Sequence, residues 1–376
     1  MNSLGRVWAE IDLNAIKQNI QNIRAITDPR AMVMGVVKAD GYGHGAVEVS
    51  RVLLSNGADR LAVATVDEAA QLRAYFPHTP IMMLSGADEF NAADIVRLDV
   101  IPTVFDLPLA QALSREAVLQ QKTVKLHIKL DTGMNRIGIY YSRPDLVELV
   151  KAISLLPGVE IEGAYTHFSK ADEADLSYAR TQFARFIDCL RKIEEAGVPI
   201  KIKHCCNSAG IINFPEMHLD MVRAGIVLYG LYPSDEVDKS RLSLIPAMSF
   251  KARISEIKTV PKGSLISYGG CFTTPETMPV GTISAGYADG YSRILSGKAQ
   301  VIVGGEKRDV LGRICMDQCM FDMRNVQNIS VGDSAILFGS DGGQSIPVES
   351  IAEKMGTINY EIVCMVGKRV PRIYIS

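Results

Sequence analysis

Met32-Val-Met-Gly-Val-Val-Lys38-Ala-Asp-Gly-Tyr42-Gly-His-Gly45 is a short apolar run that ends on a lysine and passes at once into a glycine-rich turn. The run from Met32 to Val37 has the length and β-branched content of a buried strand. A lysine directly behind it has a partly desolvated amine, which lowers its pKa and makes it a nucleophile toward an aldehyde. Gly41, Gly43 and Gly45 let backbone or a phosphate come close, and Tyr42 adds a phenol donor. The segment by itself also fits a strand that ends in a solvated surface lysine.

Outward from this strand the chain keeps a regular beat. Short apolar or β-branched runs recur near 32–37, 61–64, 81–84, 100–104, 124–130, 159–165, 200–205 and 221–228. Helical patterns fill most of the gaps, at 44–55, 66–75, 87–98, 106–120, 143–154 and 178–196, and Asp12 is placed to cap a helix carrying Leu13, Ile16, Ile20 and Ile23. Eight strands separated by helix-sized gaps match an α/β fold of the (β/α)8 TIM-barrel type; a doubly wound sheet fits less well because it does not require this number.

The pattern changes after about Tyr232. Pro233-Ser-Asp-Glu-Val-Asp-Lys-Ser-Arg241 reads as a linker, and beyond it strand-like runs fall at 248–260, 280–285, 299–303, 319–323, 333–338 and 369–375, with one helix-like stretch at 347–355. The expected division is a barrel over 1–235, whose first ten or so residues pack with the second domain, and a mainly β C-terminal domain over 236–376.

Composition narrows the function classes. The 376 residues are 47% hydrophobic and 22% charged with a net charge of -2 and no block of like charges, which gives no footprint for nucleic acid or an anionic membrane. No apolar stretch approaches a membrane span, and the N-terminus lacks a signal-peptide core. Seven cysteines, with Cys205 and Cys206 adjacent, do not form a disulfide framework. Cys315 and Cys319 lack zinc-ligand spacing, so no metal is expected, and a reducing cytoplasm is the expected compartment.

Active sites of such barrels lie at the C-terminal ends of the strands. Strand one ends in Lys38. Strand five carries His127, Lys129 and Asp131 on one face, with Arg136 in the following loop. Strand six ends in His167, strand seven runs into Asn207 and Ser208, and the eighth gives Arg223 followed by Gly225 and Ile226. Each has a plainer reading: His167 as a core histidine, Arg223 paired with Asp220, Lys129 paired with Asp131, Ser208 as a helix cap. Those readings weaken together, since they must explain polar residues on five strands at one end. Barrels also bind phosphate in the loops after strands seven and eight. A phosphorylated aldehyde reaching from there to Lys38 would be pyridoxal phosphate.

Ten strings in order carry a family likeness: W-A-E-I-D-L, V-V-K-A-D-G-Y-G-H-G, K-L-D-T-G-M-N-R-I-G, T-H-F, N-S-A, R-A-G-I-V-L-Y-G, S-Y-G, G-Y-A-D-G, G-R-I-C-M-D and I-N-Y-E-I. In these the chain resembles the pyridoxal-phosphate alanine racemases over essentially its whole length. The resemblance implies that Lys38 holds the cofactor as a Schiff base and is the base on one face of the substrate. Tyr268, from the partner subunit of an obligate homodimer, would be the base on the other face. It implies phosphate binding by Tyr42, Ser208, Gly225, Ile226 and Tyr360, and places Arg136 on the cofactor's phenolic oxygen and the substrate carboxylate. It further implies a carbamylated Lys129 that orients Arg136, and a Met316 amide, between Cys315 and Asp317, touching the substrate carboxylate from the partner. Tyr287 would stand at the entry.

Arg223 would face the pyridine nitrogen. An arginine stays protonated and only donates, so the ring is a weak electron sink and side reactions such as transamination are suppressed. His167 would link Arg223 to Tyr268 and lower the phenol's pKa from about 10 toward neutrality. Tyr360, which relatives favouring serine tend to lose, implies a side chain as small as the methyl of alanine. The implied activity is interconversion of L- and D-alanine, with D-alanine supplied for peptidoglycan. Rival readings are a decarboxylase of the same architecture, whose E-P-G-R-like motif is missing here, a cofactor-carrying binding barrel, which leaves the second domain unexplained, and an inactive scaffold.

Overall fold

The computed structural model describes residues 5–376 and separates into two compact units. One comprises Ala15–Gly41 and Gly45–Pro246; the other comprises the N-terminal residues through Asn14, Tyr42–His44 and Ala247–Ser376. The first strand, β1 (Val7–Asp12), lies in the second of these, and helix α1 (Leu13–Ile26) follows directly on Asp12, burying Ile16, Ile20 and Ile23.

The larger unit is a parallel barrel. Its strands are β2 (Met32–Val36), β3 (Arg60–Val63), β4 (Ile81–Gly86), β5 (Val100–Val104), β6 (Val124–Asp131), β7 (Val159–Tyr165), β8 (Ile202–His204) and β9 (Met221–Ala224). The ladder runs β9-β2-β3-β4-β5-β6-β7-β8, with every pairing parallel. The seam between β8 and β9 is drawn together by Asp220 N donating to Lys203 O (3.1 Å) and Arg223 N donating to Cys206 O (3.0 Å), so the barrel is nearly closed. Burial on both faces explains why these strands read as continuous apolar runs; all five residues of β5 are buried. Helices α2 (Ala46–Ser55), α3 (Val66–Tyr75), α4 (Ala92–Arg97), α5 (Leu107–Leu119), α6 (Leu146–Ser154), α7 (Ser177–Glu195) and the short α8 (Ser208–Asn213) occupy the gaps. Glu68 supports α3 through a capping box with Thr65.

Two expectations shift here. The eighth strand ends at Ala224, because a 3-10 turn over Ile226–Tyr229 takes up the rest of the apolar run. The helix expected from residue 44 begins at Ala46, because Ala39, Asp40 and Gly41 form a left-handed turn, with φ of 52, 52 and 60°. Left-handed residues other than glycine cost roughly 1–2 kcal/mol each and persist only where the surroundings fix them. Here Gly41 N donates to Val37 O (2.8 Å), Ala39 N to Glu68 Oε1 (2.7 Å) and Ala46 N to Asp40 Oδ1 (2.8 Å).

The other unit is mainly β. Its strands β10 (Met248–Val260), β11 (Met278–Ile283), β12 (Gln300–Val303), β13 (Glu306–Leu311), β14 (Cys319–Asp322), β15 (Ser334–Asp341), β16 (Gln344–Ile346) and β17 (Arg372–Ile375) join β1 in one sheet. The thirteen-residue β10 alternates buried and half-buried residues in its first half, pairs with β1 and β15 there, and pairs with β11 beyond a bulge near Glu256. The β10–β15 pairing closes six of the strands into a ring. Helices α9 (Val348–Met355) and α10 (Asn359–Met365) complete it. Strands β1, β13 and β16 and helix α10 were not expected from the sequence.

Candidate active site

The strand ends of the barrel converge on a cavity of about 220 Å3 lined by Lys38, Lys129, Arg136, Tyr165, His167 and Arg223 among others, none of them acidic. Lys38, directly behind β2, is half-buried. Lys129 is buried on β6, with its Nζ 4.4 Å from the Tyr165 ring centre and no hydrogen-bond partner among the described residues. Burial, followed by the charges of Arg223 and Arg136, holds its pKa well below the usual ammonium value. Asp131 does not pair with it: Oδ1 accepts the backbone N–H groups of Gly133, Met134 and Asn135, each at 3.0 Å, and this shapes the loop that carries Arg136.

Arg223 lies buried on β9, with no carboxylate paired to it among the described residues. Its Nη2 donates to Thr166 O (2.9 Å), Cys205 O (3.0 Å) and His167 Nδ1 (3.3 Å), and its Nη1 to His204 Nδ1 (2.9 Å). Asp220, the partner considered from sequence, accepts Lys203 N instead. His167 is held well below the usual imidazole pKa by burial and then by Arg223, Lys129 and Arg136, so it is neutral, with Arg223 Nη2 facing its Nδ1 and Asn207 Nδ2 facing its Nε2 at 3.5 Å. Burial pushes the Tyr165 phenol up to about 12, which keeps it a donor, bonded to Leu84 O at 3.0 Å.

The loops after β8 and β9 meet through Ser208. The cap of α8 is Asn207, whose Oδ1 accepts Gly210 N (3.0 Å); Ser208 Oγ, released from capping, accepts Gly225 N (2.9 Å), and Ile226 follows, buried. Sequence reasoning missed Tyr165 and His204. Each sits at the same strand-end level as a residue it did find, so strand-end position was the available signal.

In the other unit, Tyr268 is 69% and Met316 52% exposed, and the two line one surface concavity with Ser267, Cys315 and Asp317. Ser267 holds φ 64°, with its Oγ donating to Arg313 O (2.6 Å), an uncommon backbone state directly before Tyr268. The segment around Met316 is fastened in part by Arg6, Asp289 and Arg369, which the sequence did not single out. Buried Asp289 pairs with Arg6 (2.9 Å) and Arg369 (2.8 Å), and Arg369 also reaches Asp317 (2.6 Å). Tyr287 N and Ala288 N donate to Cys315 O and Met316 O, each at 3.0 Å. Tyr42, which is buried, and Tyr360 stand with ring centres 6.2 Å apart.

Comparison with known proteins decides the family. The alanine racemase N-terminal domain matches residues 11–233 and the alanine racemase C-terminal domain residues 247–374. The chain belongs to the alanine racemase family. It is 48% identical to alanine racemase of Desulforamulus reducens over 98% of this chain and 99% of the relative. It is also 48% identical to that of Methanococcus maripaludis, over 98% of each chain. Among solved structures, alanine racemase of Clostridium difficile superimposes with a TM-score of 0.96 at 41% identity, covering 100% of this chain and 97% of the other. That of Bacillus anthracis with bound L-Ala-P gives 0.94 at 36% identity, covering 100% and 96%. The chain is thus an amino-acid racemase, an isomerase, built as a TIM barrel with a mainly β C-terminal unit. No helix among the described residues is long and apolar enough to cross a membrane.

Proposed function

We propose that the protein interconverts L- and D-alanine with pyridoxal 5'-phosphate, using Lys38 as the base on one face of the substrate and Tyr268 of the partner subunit on the other. The observation that carries this reading is the cavity itself. A half-buried lysine at a barrel-strand end shares it with Arg223, Arg136 and an unpartnered Lys129, and no carboxylate lines it. Such a donor set suits a phosphorylated aldehyde and a carboxylate substrate, both anionic. When bound, the cofactor supplies the electron sink that makes the α-proton removable.

The chain's residues would divide the remaining work. Lys38 attaches the cofactor and moves the proton on its own side at Nζ. Arg223 donates to the ring nitrogen and cannot accept a proton, so it holds the sink weak. Ser208, Gly225 and Ile226, with Tyr42 and Tyr360, bind phosphate. Arg136, steadied by a carbamate on Lys129, and the Met316 amide of the partner subunit hold the substrate carboxylate, and Tyr287 narrows the entry. Exposure of Tyr268 and Met316 on one concave surface supports their service to a second copy. Retention of Tyr360 supports alanine over serine, and the L-Ala-P bound in the Bacillus anthracis relative agrees with a small substrate. In the cell the reaction would supply D-alanine for peptidoglycan from the cytoplasm.

The test is chiral chromatography after incubating purified protein and pyridoxal phosphate with L-alanine and, separately, L-serine. D-alanine forming well ahead of D-serine is the expected result. Comparable D-serine would overturn the substrate assignment, and neither product would overturn the reaction.

A further inference from the structure

Below the cavity, a continuous line of polar side chains runs from Arg223 into the barrel interior, and its members beyond Arg223 have no part in the proposed reaction. Arg223 Nη1 meets His204 Nδ1 at 2.9 Å, His204 Nε2 meets His127 Nδ1 at 2.8 Å, and His127 Nε2 meets Glu162 Oε2 at 3.1 Å. Glu162 in turn accepts from Arg60 Nη1 at 2.6 Å, and Lys125 Nζ stands 3.6 Å away. The two imidazoles are fully buried, with the Tyr165 ring stacked on His204 at 4.8 Å.

The order of protons along this line is determined by its ends. Arg223 can only donate, so His204 Nδ1 carries no hydrogen and its Nε2 does. That hydrogen points at His127 Nδ1, which must accept, leaving the His127 proton on Nε2 to be donated to Glu162. The carboxylate, already accepting from Arg60, can only accept. An added proton on either ring would set two N–H groups against each other. Four groups on four strands therefore share one arrangement, with every donor aimed from the cavity toward Glu162.

We infer that Glu162 is a positioning residue for Arg223, acting through His127 and His204. Among the described residues no carboxylate pairs with Arg223, and the line of hydrogen bonds from it reaches an anion at Glu162, two rings away. A negative charge at the end of a polarised chain strengthens each bond along it. It makes His204 Nδ1 a better acceptor and holds Nη1, and with it the plane of the guanidinium. The same plane sets how Nη2 meets His167 Nδ1, and so which nitrogen of His167 presents its proton to the site. Glu162 is not among the residues that line the cavity.

The inference rests on the racemase reading for its kinetic consequence but not for its proton order. Two variants test it in the holoenzyme. Glu162→Gln keeps the shape and removes the charge; His127→Phe keeps a ring and the Arg60–Glu162 pair but severs the line. Both are expected to lower kcat roughly 10-fold with KM for alanine changed less than about 2-fold, the pattern of a lost transition-state interaction. Both should also alter the absorption spectrum of the bound cofactor. Nitrogen-15 NMR of the wild type should show His127 and His204 as neutral Nε2–H tautomers, and Glu162→Gln should shift the His204 signals although the two residues do not touch. Unchanged His204 signals, or an Nδ1–H tautomer at either ring, would overturn the proposal. So would a folded His127→Phe enzyme with wild-type kcat and spectrum. A wild type without racemase activity would instead overturn the functional reading, and the NMR result would still decide the proton order.

Discussion

Lys129 Nζ stands 4.4 Å above the centre of the Tyr165 ring and has no hydrogen-bond acceptor among the described residues. A buried ammonium contacted only by an aromatic face is costly unless it loses its proton. Burial and the charges of Arg223 and Arg136 favour that loss. A neutral amine attacks carbon dioxide, forming an N–C bond and releasing a proton, and the carbamate would place an anion in a cavity whose other charged lining groups, Lys38, Arg136 and Arg223, are cations. Protein equilibrated with carbon-13 bicarbonate should give a carbonyl resonance that Lys129→Gln lacks. That variant should raise KM for alanine about 10-fold, the worth of roughly 1.4 kcal/mol in orienting Arg136. A fully active wild type without the resonance would remove the modification from the mechanism.

Lys38 and Tyr268 should be separable by variant. Lys38→Ala is expected to abolish covalent attachment of the cofactor, read as loss of its visible absorption, along with activity. Tyr268→Phe should bind cofactor normally while nearly eliminating racemisation. Mixed Lys38→Ala and Tyr268→Phe subunits should recover part of the turnover, since one of the two composite sites in each mixed dimer is intact. Confirmed heterodimers with no recovery would count against active sites shared between chains.

Ser208→Ala removes the acceptor of the Gly225 N–H bond while leaving Asn207 to cap α8. A buried N–H left without its partner costs about 1–3 kcal/mol. We expect cofactor affinity to fall about 10-fold or more, with kcat at saturating cofactor close to wild type. Equilibrium titration of the cofactor-free enzyme measures the first and steady-state kinetics the second. A variant with lowered kcat and unchanged affinity would exclude the pair from phosphate binding.

The barrel was legible because both faces of a parallel strand are buried, and eight apolar runs at helix spacing leave few alternatives. The strand-end polar residues were legible for the same reason: Lys38, His167 and Arg223 interrupt apolar sequence. What escaped notice depended on partners distant in sequence. Glu162 and His204 look like ordinary strand residues until the sheet brings Glu162 to His127. Asp289 reads as a turn acid inside G-Y-A-D-G until Arg6 and Arg369 close on it from opposite ends of the chain. Strand β1 escaped because Trp8-Ala-Glu-Ile-Asp12 pairs with β10 and β17, contacts across more than 230 positions that no local pattern carries. The left-handed turn behind Lys38 is set by Glu68 and Asp40 rather than by its glycines alone.

Stability should fall as pH drops below about 6.5. Burial, aided by Arg223, keeps His204 well below the ordinary imidazole pKa, and burial also lowers that of His127, even though Glu162 pulls His127 the other way. The unfolded chain therefore takes up protons below pH 6.5 that the fold refuses. Each such histidine contributes stability that is complete above its unfolded pKa and lost at about 1.4 kcal/mol per pH unit beneath it. Glu162 acts in the same direction at lower pH. Burial opposes its ionisation, but the hydrogen bonds from His127 and Arg60 prevail and hold its carboxyl far below the usual range, so its share is lost as pH falls under about 4.5. Urea unfolding at pH 7.5, 6.5 and 5.5 should give a small decrease between the first two and a larger one at the third. His127→Phe, less stable throughout, should show a shallower decline by about one histidine's contribution. A wild-type stability that stayed level down to pH 5.5 would mean that the two rings take up protons inside the barrel, and the single proton order along the line from Arg223 to Glu162 would be lost.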